Sequence, residues 1–285
     1  MINRLKIWLV LLVLSIMIAC EESINLELPL GQERVVISGW ITDNPEPYEV
    51  KVSKTVSFND QETNPNISGA EVYVLDHNFV RYDFEETHLK GIYRSDPNEL
   101  VGIPGYGYTL HVRLPDGTKF TSLRERLNPV PKLDTVFFGT SFDPILPISD
   151  PEAKVFFVRG SVMDIADTKN FFRWKLYVND TLRDNPEELV IFDDKFTDGN
   201  TFETKVTDIL LRKGDTLRLE HWSLSERAFD YYSLLISQIF EDQIGPSTPP
   251  SPVKGNISND SEPSELVLGF FGASQIEVKT AVVTD

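Results

Sequence analysis

Apolar and polar residues alternate with a period of two along most of this chain, which is the spacing of a strand with one buried face. In "YEVKVSKTV", Tyr48, Val50 and Val52 interleave with Glu49, Lys51 and Ser53. "AEVYVLD" and "YTLHVRL" repeat the pattern, the latter with Leu110, Val112 and Leu114 opposite His111 and Arg113. Asp116-Gly117 in "LPDGTKF" is a hairpin turn dipeptide between two such runs. "KVFFVRGSV", "FFRWKLYV", "ELVIFDD", "DTLRLEHWSL", "ELVLGFF" and "IEVKTAVV" are further strand candidates, bounded by Gly, Pro, Asn and Asp. Many short strands with frequent turns predict an all-β fold, and 285 residues are enough for two β-sandwich domains. Pro129 and Pro131 in "RERLNPVPKLD" interrupt the alternation and place the expected boundary between 34–127 and 128–285.

The period changes to that of a helix once. In "SLSERAFDYYSLLISQIFEDQIGP", Ser223 and Glu226 have capping-box spacing. Phe229, Tyr232, Ile236 and Phe240 then recur at helical intervals, and Gly245-Pro246 supplies a stop, so an amphipathic helix is expected over 225–243. Its aromatic stripe either docks on a sheet or lines a ligand groove. The following 245–265 are Pro- and Ser-rich, which predicts a loop: a flexible excursion or an ordered surface segment. Loops of this length often carry function, so it is a candidate partner contact.

At the start of the chain, Arg4 and Lys6 precede the apolar run "IWLVLLVLSIMIA", with Ala19 before the single cysteine, Cys20. That order is an export signal, and the run is short for a bilayer-spanning helix. "MIAC" resembles the bacterial lipobox, in which cleavage leaves a diacylated cysteine as the new N-terminus. The alternative is an ordinary secretory signal with an incidental cysteine. The lipobox reading makes 1–19 a signal peptide of the lipoprotein type, Cys20 the lipidation site and 20–33 a tether. Two acyl chains anchor stably where one is marginal.

Hydrophobic residues at 41% and aromatics at 11% suffice for a packed core. The net charge is −17, and loss of Arg4 and Lys6 with the signal leaves 25 basic against 44 acidic residues. That sign disfavours nucleic acid as a partner and leaves membrane attachment to the lipid. No catalytic constellation emerges. His77, His88, His111 and His221 lack metal-ligand spacing, and His221 shares a strand face with Leu217 and Leu219, as expected of a hydrogen-bonded, semi-buried histidine. "SPVK" at 251–254 matches Ser-x-x-Lys, but Pro252 opposes the helix that motif needs. "FDDKFTDGNTFE" resembles a calcium loop only in Asp194, Asp198 and Gly199; Phe196 and Lys205 fall on ligand positions, so a turn is expected. No cofactor, no metal and no enzymatic activity are therefore expected.

Binding is the better-supported chemistry. Trp222 shares a strand face with Arg218 and Glu220, and Trp40, Tyr106 and Tyr108 lie at strand ends or in a Gly-rich loop. Aromatics beside carboxylates suit glycan or peptide contacts; the alternative is that they pack under the helix and close a sandwich end.

Several runs together resemble a known family: the lipobox, "VVISGWITD", "YEVKVSKT", "ISGAEVYVLD", "GIYRS", "GYTLHVRLPDGTKFTS", "DYYSLLISQ", "PPSPVKGNI" and "LGFFGAS". The chain resembles the domain of unknown function 4249 lipoproteins of Bacteroidota over nearly its whole mature length. Phe270 replaces a Tyr frequent in that family. More weakly, 34–127 resembles Ig-like, transthyretin-like or carboxypeptidase-regulatory sandwiches. The resemblance implies an outer-membrane lipoprotein, often encoded beside TonB-dependent β-barrel receptors, with no catalytic residues to carry over. In that phylum Glu21 and Glu22, directly after the lipidated cysteine, resemble a signal for surface export. Thr135, Thr181 and Thr216, each in an Asp-Thr-aliphatic triplet, resemble its O-glycosylation sites. Two functions follow as expectations: an accessory subunit of an outer-membrane receptor complex that helps bind or retain substrate, or a free-standing surface module for glycan or peptide.

Overall fold

Alternation becomes strand wherever its apolar side finds a facing layer. The computed structural model describes residues 33–56, 65–141, 153–185, 188–197, 199–241 and 252–284; Cys20, Glu21 and Glu22 lie outside the described residues. The first strands are β1 (Val35–Thr42), β2 (Glu49–Lys54), β3 (Glu71–Leu75), β4 (Arg81–Glu86), β5 (Ile92–Ser95), β6 (Gly107–Arg113), β7 (Lys119–Ser122) and β8 (Glu125–Arg126). Next come β9 (Leu133–Thr140), β10 (Lys154–Met163), β11 (Phe171–Val178), β12 (Thr181–Arg183), β13 (Val190–Asp193), β14 (Thr201–Leu211) and β15 (Thr216–Leu224). Helix α1 (Glu226–Glu241) and strands β16 (Ile257–Asn259), β17 (Phe271–Ser274) and β18 (Ile276–Val282) complete the order. The all-β expectation with a single described helix holds, and Glu33–Asp285 forms one compact unit.

A large sheet runs β16-β7-β6-β3-β4-β5-β2-β1-β17, with β8 also on β6. Its core gathers Ile37, Ile41, Val50, Val52, Val74, Leu110, Phe120 and Phe271, the inward halves of the alternating runs. Each such side chain contributes about 1.5–3 kcal/mol through burial. Two smaller sheets, β14-β10-β9 and β12-β11-β15-β18 with β13 also on β11, enclose a second core around Leu133, Val158, Phe172, Trp174, Leu217 and Leu219. The break at Pro129 and Pro131 falls between β8 and β9, where pairing passes from one core to the other.

Residues 254–274 depart from that linear order by returning to the large sheet. β16 pairs antiparallel with β7, and β17 runs parallel to β1 with Trp40 opposite Gly272. The loop expected over 245–265 therefore contains a strand, and only its first part, 245–251, lies outside the described residues. "ELVLGFF" forms a strand only from Phe271 onward; Leu268 before it makes isolated bridges to Val36 and Lys254. The return depends on close backbone approach. Gly269 has φ +91°, and a Cβ there would lie 2.0 Å from the Ile37 carbonyl oxygen. Asn256 completes the joint by acting as a strand backbone: it accepts from Phe271 N at 3.0 Å and donates to Phe271 O at 2.7 Å.

Glu125 locks this arrangement to the helix. Only 1% exposed, its carboxylate accepts from Ser225 Oγ at 2.5 Å, Arg227 Nε at 2.8 Å and Asn256 Nδ2 at 3.0 Å. Ser225 is the helix cap, its Oγ accepting from Ala228 N at 3.1 Å. The expected cap, Ser223, is instead the last-but-one residue of β15: its hydroxyl donates to Asn128 O at 2.6 Å and accepts from Gln275 N at 2.9 Å. A strand residue cannot also cap, so the helix starts two residues later than the capping-box spacing implied.

Candidate binding cleft

The connection from β1 to β2, "TDNPEPYE", turns back on itself around a buried tyrosine. The Tyr48 hydroxyl donates to the carbonyls of Thr42 and Asn44, the latter at 2.7 Å, and accepts from Gly102 N at 3.2 Å. Beside this loop opens a cleft of about 490 Å³ lined by Trp40, Thr42, Glu46, Pro47, Tyr48, Glu49, Arg94 and Trp222. Glu49 and Arg94 pair across β2 and β5, with Nη2–Oε1 at 2.6 Å.

Trp40 and Trp222 meet here edge to face, ring centroids 6.0 Å apart. Trp40 also lies 6.1 Å from Tyr232 of α1 and 6.0 Å from Phe270. Its Nε1 donates to Ser274 Oγ at 2.9 Å, and a Cβ at Gly272 would lie 2.4 Å from its ring. The glycine in "LGFFGAS" thus makes room for the indole. The helix stripe docks as one expected alternative had it: Phe229, Tyr231 and Tyr232 pack with Phe171, Leu224, Ala228 and Phe270.

The outer face of β11 and β15 adjoins the cleft through Trp222, whereas the charges that line the cleft are Glu46, Glu49 and Arg94. Arg173 stands opposite Trp222, Lys175 opposite Glu220 and Tyr177 opposite Arg218. Glu220, 7% exposed, is well supplied with donors: Trp222 Nε1 at 2.9 Å, Tyr177 Oη at 3.4 Å and Arg218 Nη1. Lys175 places its Nζ 3.3 Å from the Trp222 ring centroid and has no hydrogen bond or ion pair among the described residues. Burial drives its pKa down to about 7, the Arg173 charge adds to that fall, and Glu220 and Glu46 oppose it. Arg173 donates to Tyr232 Oη at 2.7 Å, and its guanidinium lies 4.5 Å from that ring centroid. Its Nε is buried without a hydrogen-bond partner.

Of the four aromatics selected in the sequence, two converge. Tyr106 stands by a different hollow with His77, at 5.3 Å between ring centroids. Tyr108 is 1% exposed, its hydroxyl accepts from Ile103 N at 2.8 Å, and burial pushes its pKa up to about 12; it is a core residue, with no surface to offer a ligand. Thr135 is half-buried in β9, whereas Thr181 and Thr216 are exposed at one end of the β11–β15 sheet, away from the cleft residues. Lys175 and Arg173 were not singled out in the sequence. The alternation in "FFRWKLYV" puts them on the outer face, but burial by Trp222 and Tyr232 comes from distant segments.

Several other polar groups match one another, although Asp208 Oδ1 and His221 Nε2 are, like Arg173 Nε, buried without a hydrogen-bond partner. Around the Tyr73–His111 stack, Glu71 pairs with Arg81 at 2.8 Å and Arg113 at 2.6 Å, and Thr121 donates to Asp260 at 2.6 Å. In the run that resembled a calcium loop, Asp194 accepts from the Asn170 backbone N–H at 2.8 Å and side-chain amide at 3.0 Å, and Asn200 N donates to Thr197 O at 2.8 Å. Among the described residues, no group of three His, Cys, Asp or Glu is placed to hold a metal, and no helix is long and apolar enough to cross a membrane.

The sequence matches the family profile described as "Domain of unknown function (DUF4249)" over residues 21–280. No curated protein matches it. Among solved structures, it is similar to a chain from the study "Structural insight into host cell surface retention of a 1.5-MDa bacterial ice-binding adhesin", at 10% identity and a TM-score of 0.20. That alignment covers 90% of this chain and 65% of the adhesin chain.

Proposed function

The chain belongs to the DUF4249 family, and from that premise we propose that it is a non-enzymatic lipoprotein of the outer membrane. In this reading it is held at the cell surface by lipid on Cys20, with Glu21 and Glu22 as the export signal. It acts as an accessory subunit of a β-barrel complex of the TonB-dependent receptor kind, helping to bind or retain substrate. The observation that carries the reading is the convergence of Trp40 of β1 and Trp222 of β15, far apart in sequence, on one open cleft. Interface energy concentrates in tryptophans set beside desolvated charge, and this cleft has both. The test is a pull-down from detergent-solubilised membranes. A β-barrel partner is expected with the native chain and not with Trp40→Ala/Trp222→Ala; recovery of the native chain alone would overturn the accessory role.

The same cleft favours a second reading, a free-standing module for glycan or peptide. Its volume of about 490 Å³ lies within the range of small-ligand sites. That reading expects measurable ligand affinity of the purified chain, lost in either Trp→Ala variant while the far-UV circular dichroism is unchanged.

A further inference from the structure

The charges on the outer face of β11 and β15 are unevenly paired. Arg173, Lys175 and Arg218 face Glu220, and Glu46 adds a second carboxylate from the β1–β2 connection. Asp180, 4.0 Å from Arg218 Nε, adds a third carboxylate, so the formal charges cancel in number while their pairing stays uneven. Glu220 spends its acceptor sites on Arg218, Trp222 and Tyr177. Lys175, although directly cross-strand from it, rests on an indole ring instead. Neither Lys175 nor Arg173 has a carboxylate partner among the described residues, and Arg173 Nε is an unmatched buried donor. Lys175 is partly buried, and a partly desolvated ammonium without an anion carries a cost that a bound anion would relieve.

Trp222 connects this charge to the cleft, because it both lines the cleft and bears Lys175 on its ring. We propose that the cleft takes a ligand bearing a monoanionic carboxylate, which reaches past the edge of Trp222 to pair with Lys175 while its flat apolar part lies against Trp40. The inference rests on the cleft being a binding site, as proposed above, and specifies what that site selects. A single carboxylate matches the one amine that lies on the Trp222 ring without an anion, whereas Glu46 and Glu220 would repel a dianion such as phosphate more strongly. The ligand's carboxylate can belong to an acidic sugar or to a peptide C-terminus, since both present a planar anion next to a stackable surface.

Pairing also makes recognition pH-dependent. The groups facing Lys175 are Arg173 and Tyr177 on its own strand, Glu220 and Arg218 on β15, the latter with Asp180 beside it, and Glu46 on the connecting loop, with the Tyr232 phenol of α1 on Arg173. With its pKa near 7, Lys175 gains its charge as pH falls through neutrality. Affinity for the carboxylate is therefore expected to rise from pH 9 to pH 6, until the ligand's own carboxyl protonates. By linkage, the bound carboxylate raises the Lys175 pKa.

The test compares phenylacetate with phenylacetamide on the purified chain, followed by the indole N–H resonances of Trp40 and Trp222. At pH 6 the acid is expected to bind about tenfold more tightly than the amide, the factor that about 1.4 kcal/mol of pairing confers. Lys175→Met should bring the two to parity with the indole signals of the free chain retained, and Lys175→Arg should keep the preference. Two further pairs identify the source: trigalacturonate against its methyl ester, and a Phe-terminated tripeptide against its amide. A Lys175-dependent preference in either pair supports the proposal and names the class. Equal affinities, a preference that survives Lys175→Met, or binding by no member of any pair would overturn it. A β-barrel recovered through the tryptophans without any acid preference would sink this inference alone. Acid preference without a recovered barrel would sink the accessory role alone.

Discussion

Trp174 with His221, and Trp222 with Lys175, are two aromatic–base pairs on opposite faces of the same two strands. On the inner face Trp174 and His221 are register partners, 2% and 0% exposed, and Trp174 Nε1 donates to His221 Nδ1 at 2.6 Å. Phe172 lies 4.6 Å from the imidazole and Phe192 stacks on it at 6.2 Å, so burial holds the histidine neutral with a pKa of about 3. On the outer face the Trp222 indole N–H goes to Glu220, and the base lies on the ring with no anion of its own. Similar residue types therefore give a fully closed core on one side and, on the other, a nearly buried indole, 8% exposed, that borders the cleft and bears an amine with no anion. What separates them is whether another layer closes over the pair.

The strongest challenge to that distinction is truncation of each tryptophan. Trp174→Ala is expected to cost about 3–5 kcal/mol in urea unfolding, because it opens a cavity in a closed core and strands His221. Trp222→Ala should cost less, about 1–3 kcal/mol, because its loss also releases Lys175 to water. Equal costs would mean that the outer pair is as structural as the inner one.

A urea midpoint followed against pH separates the two bases. His221 has its pKa lowered on folding, so the unfolded chain takes the proton first; stability should fall as pH drops below about 6.5 and level off near 3. His221→Phe should be less stable at pH 7, with Trp174 Nε1 unpaired, yet lose less on acidification. Lys175 is also lowered on folding, so its penalty is complete below about pH 7 and fades as pH rises toward the unfolded value of about 10.4. Lys175→Met should therefore stabilise the chain near pH 6; even half of the full displacement is worth about 2 kcal/mol. A destabilised Lys175→Met would show that the amine is satisfied where it lies, and the unmet charge would disappear from the argument.

Much of this was legible before the structure, and the remainder was hidden for a physical reason. "FFRWKLYV" separates Phe172, Trp174 and Leu176 from Arg173, Lys175 and Tyr177 by period alone, and "RLEHW" likewise sets Trp222 with Glu220 and Arg218. Alternation identifies a strand's two faces but not what covers each one. Period alone marks Lys175 as an ordinary solvated lysine; its desolvation depends on Trp222, and its field on Glu46, from segments far away in sequence. Trp40 meets Trp222 only because 254–274 returns to the large sheet, and that return depends on Gly269 approaching Ile37 and on Asn256 serving as backbone for Phe271. Pro252 and its Pro/Ser-rich surroundings read as loop, since no local signal announces a strand whose partner lies in β7.

The smallest expected effect tests the link between amine and cleft most directly. Glu46 is an exposed carboxylate lining the cleft, and its field supports the charged form of Lys175. Glu46→Gln should therefore lower the Lys175 pKa below about 7, by a few tenths of a unit, since an exposed charge acts through solvent. The readout is a ¹³C-dimethyl-lysine titration by NMR, and the difference from the native chain should shrink at about 0.5 M salt, where the screening length falls to a few ångströms. His221, followed separately by its imidazole C–H signals, serves as the control: its shift comes from burial alone, so its titration should not respond to Glu46. If the Lys175 titration does not move either, the amine does not sense the charge lining the cleft. A ligand carboxylate placed there would then have no reason to find it.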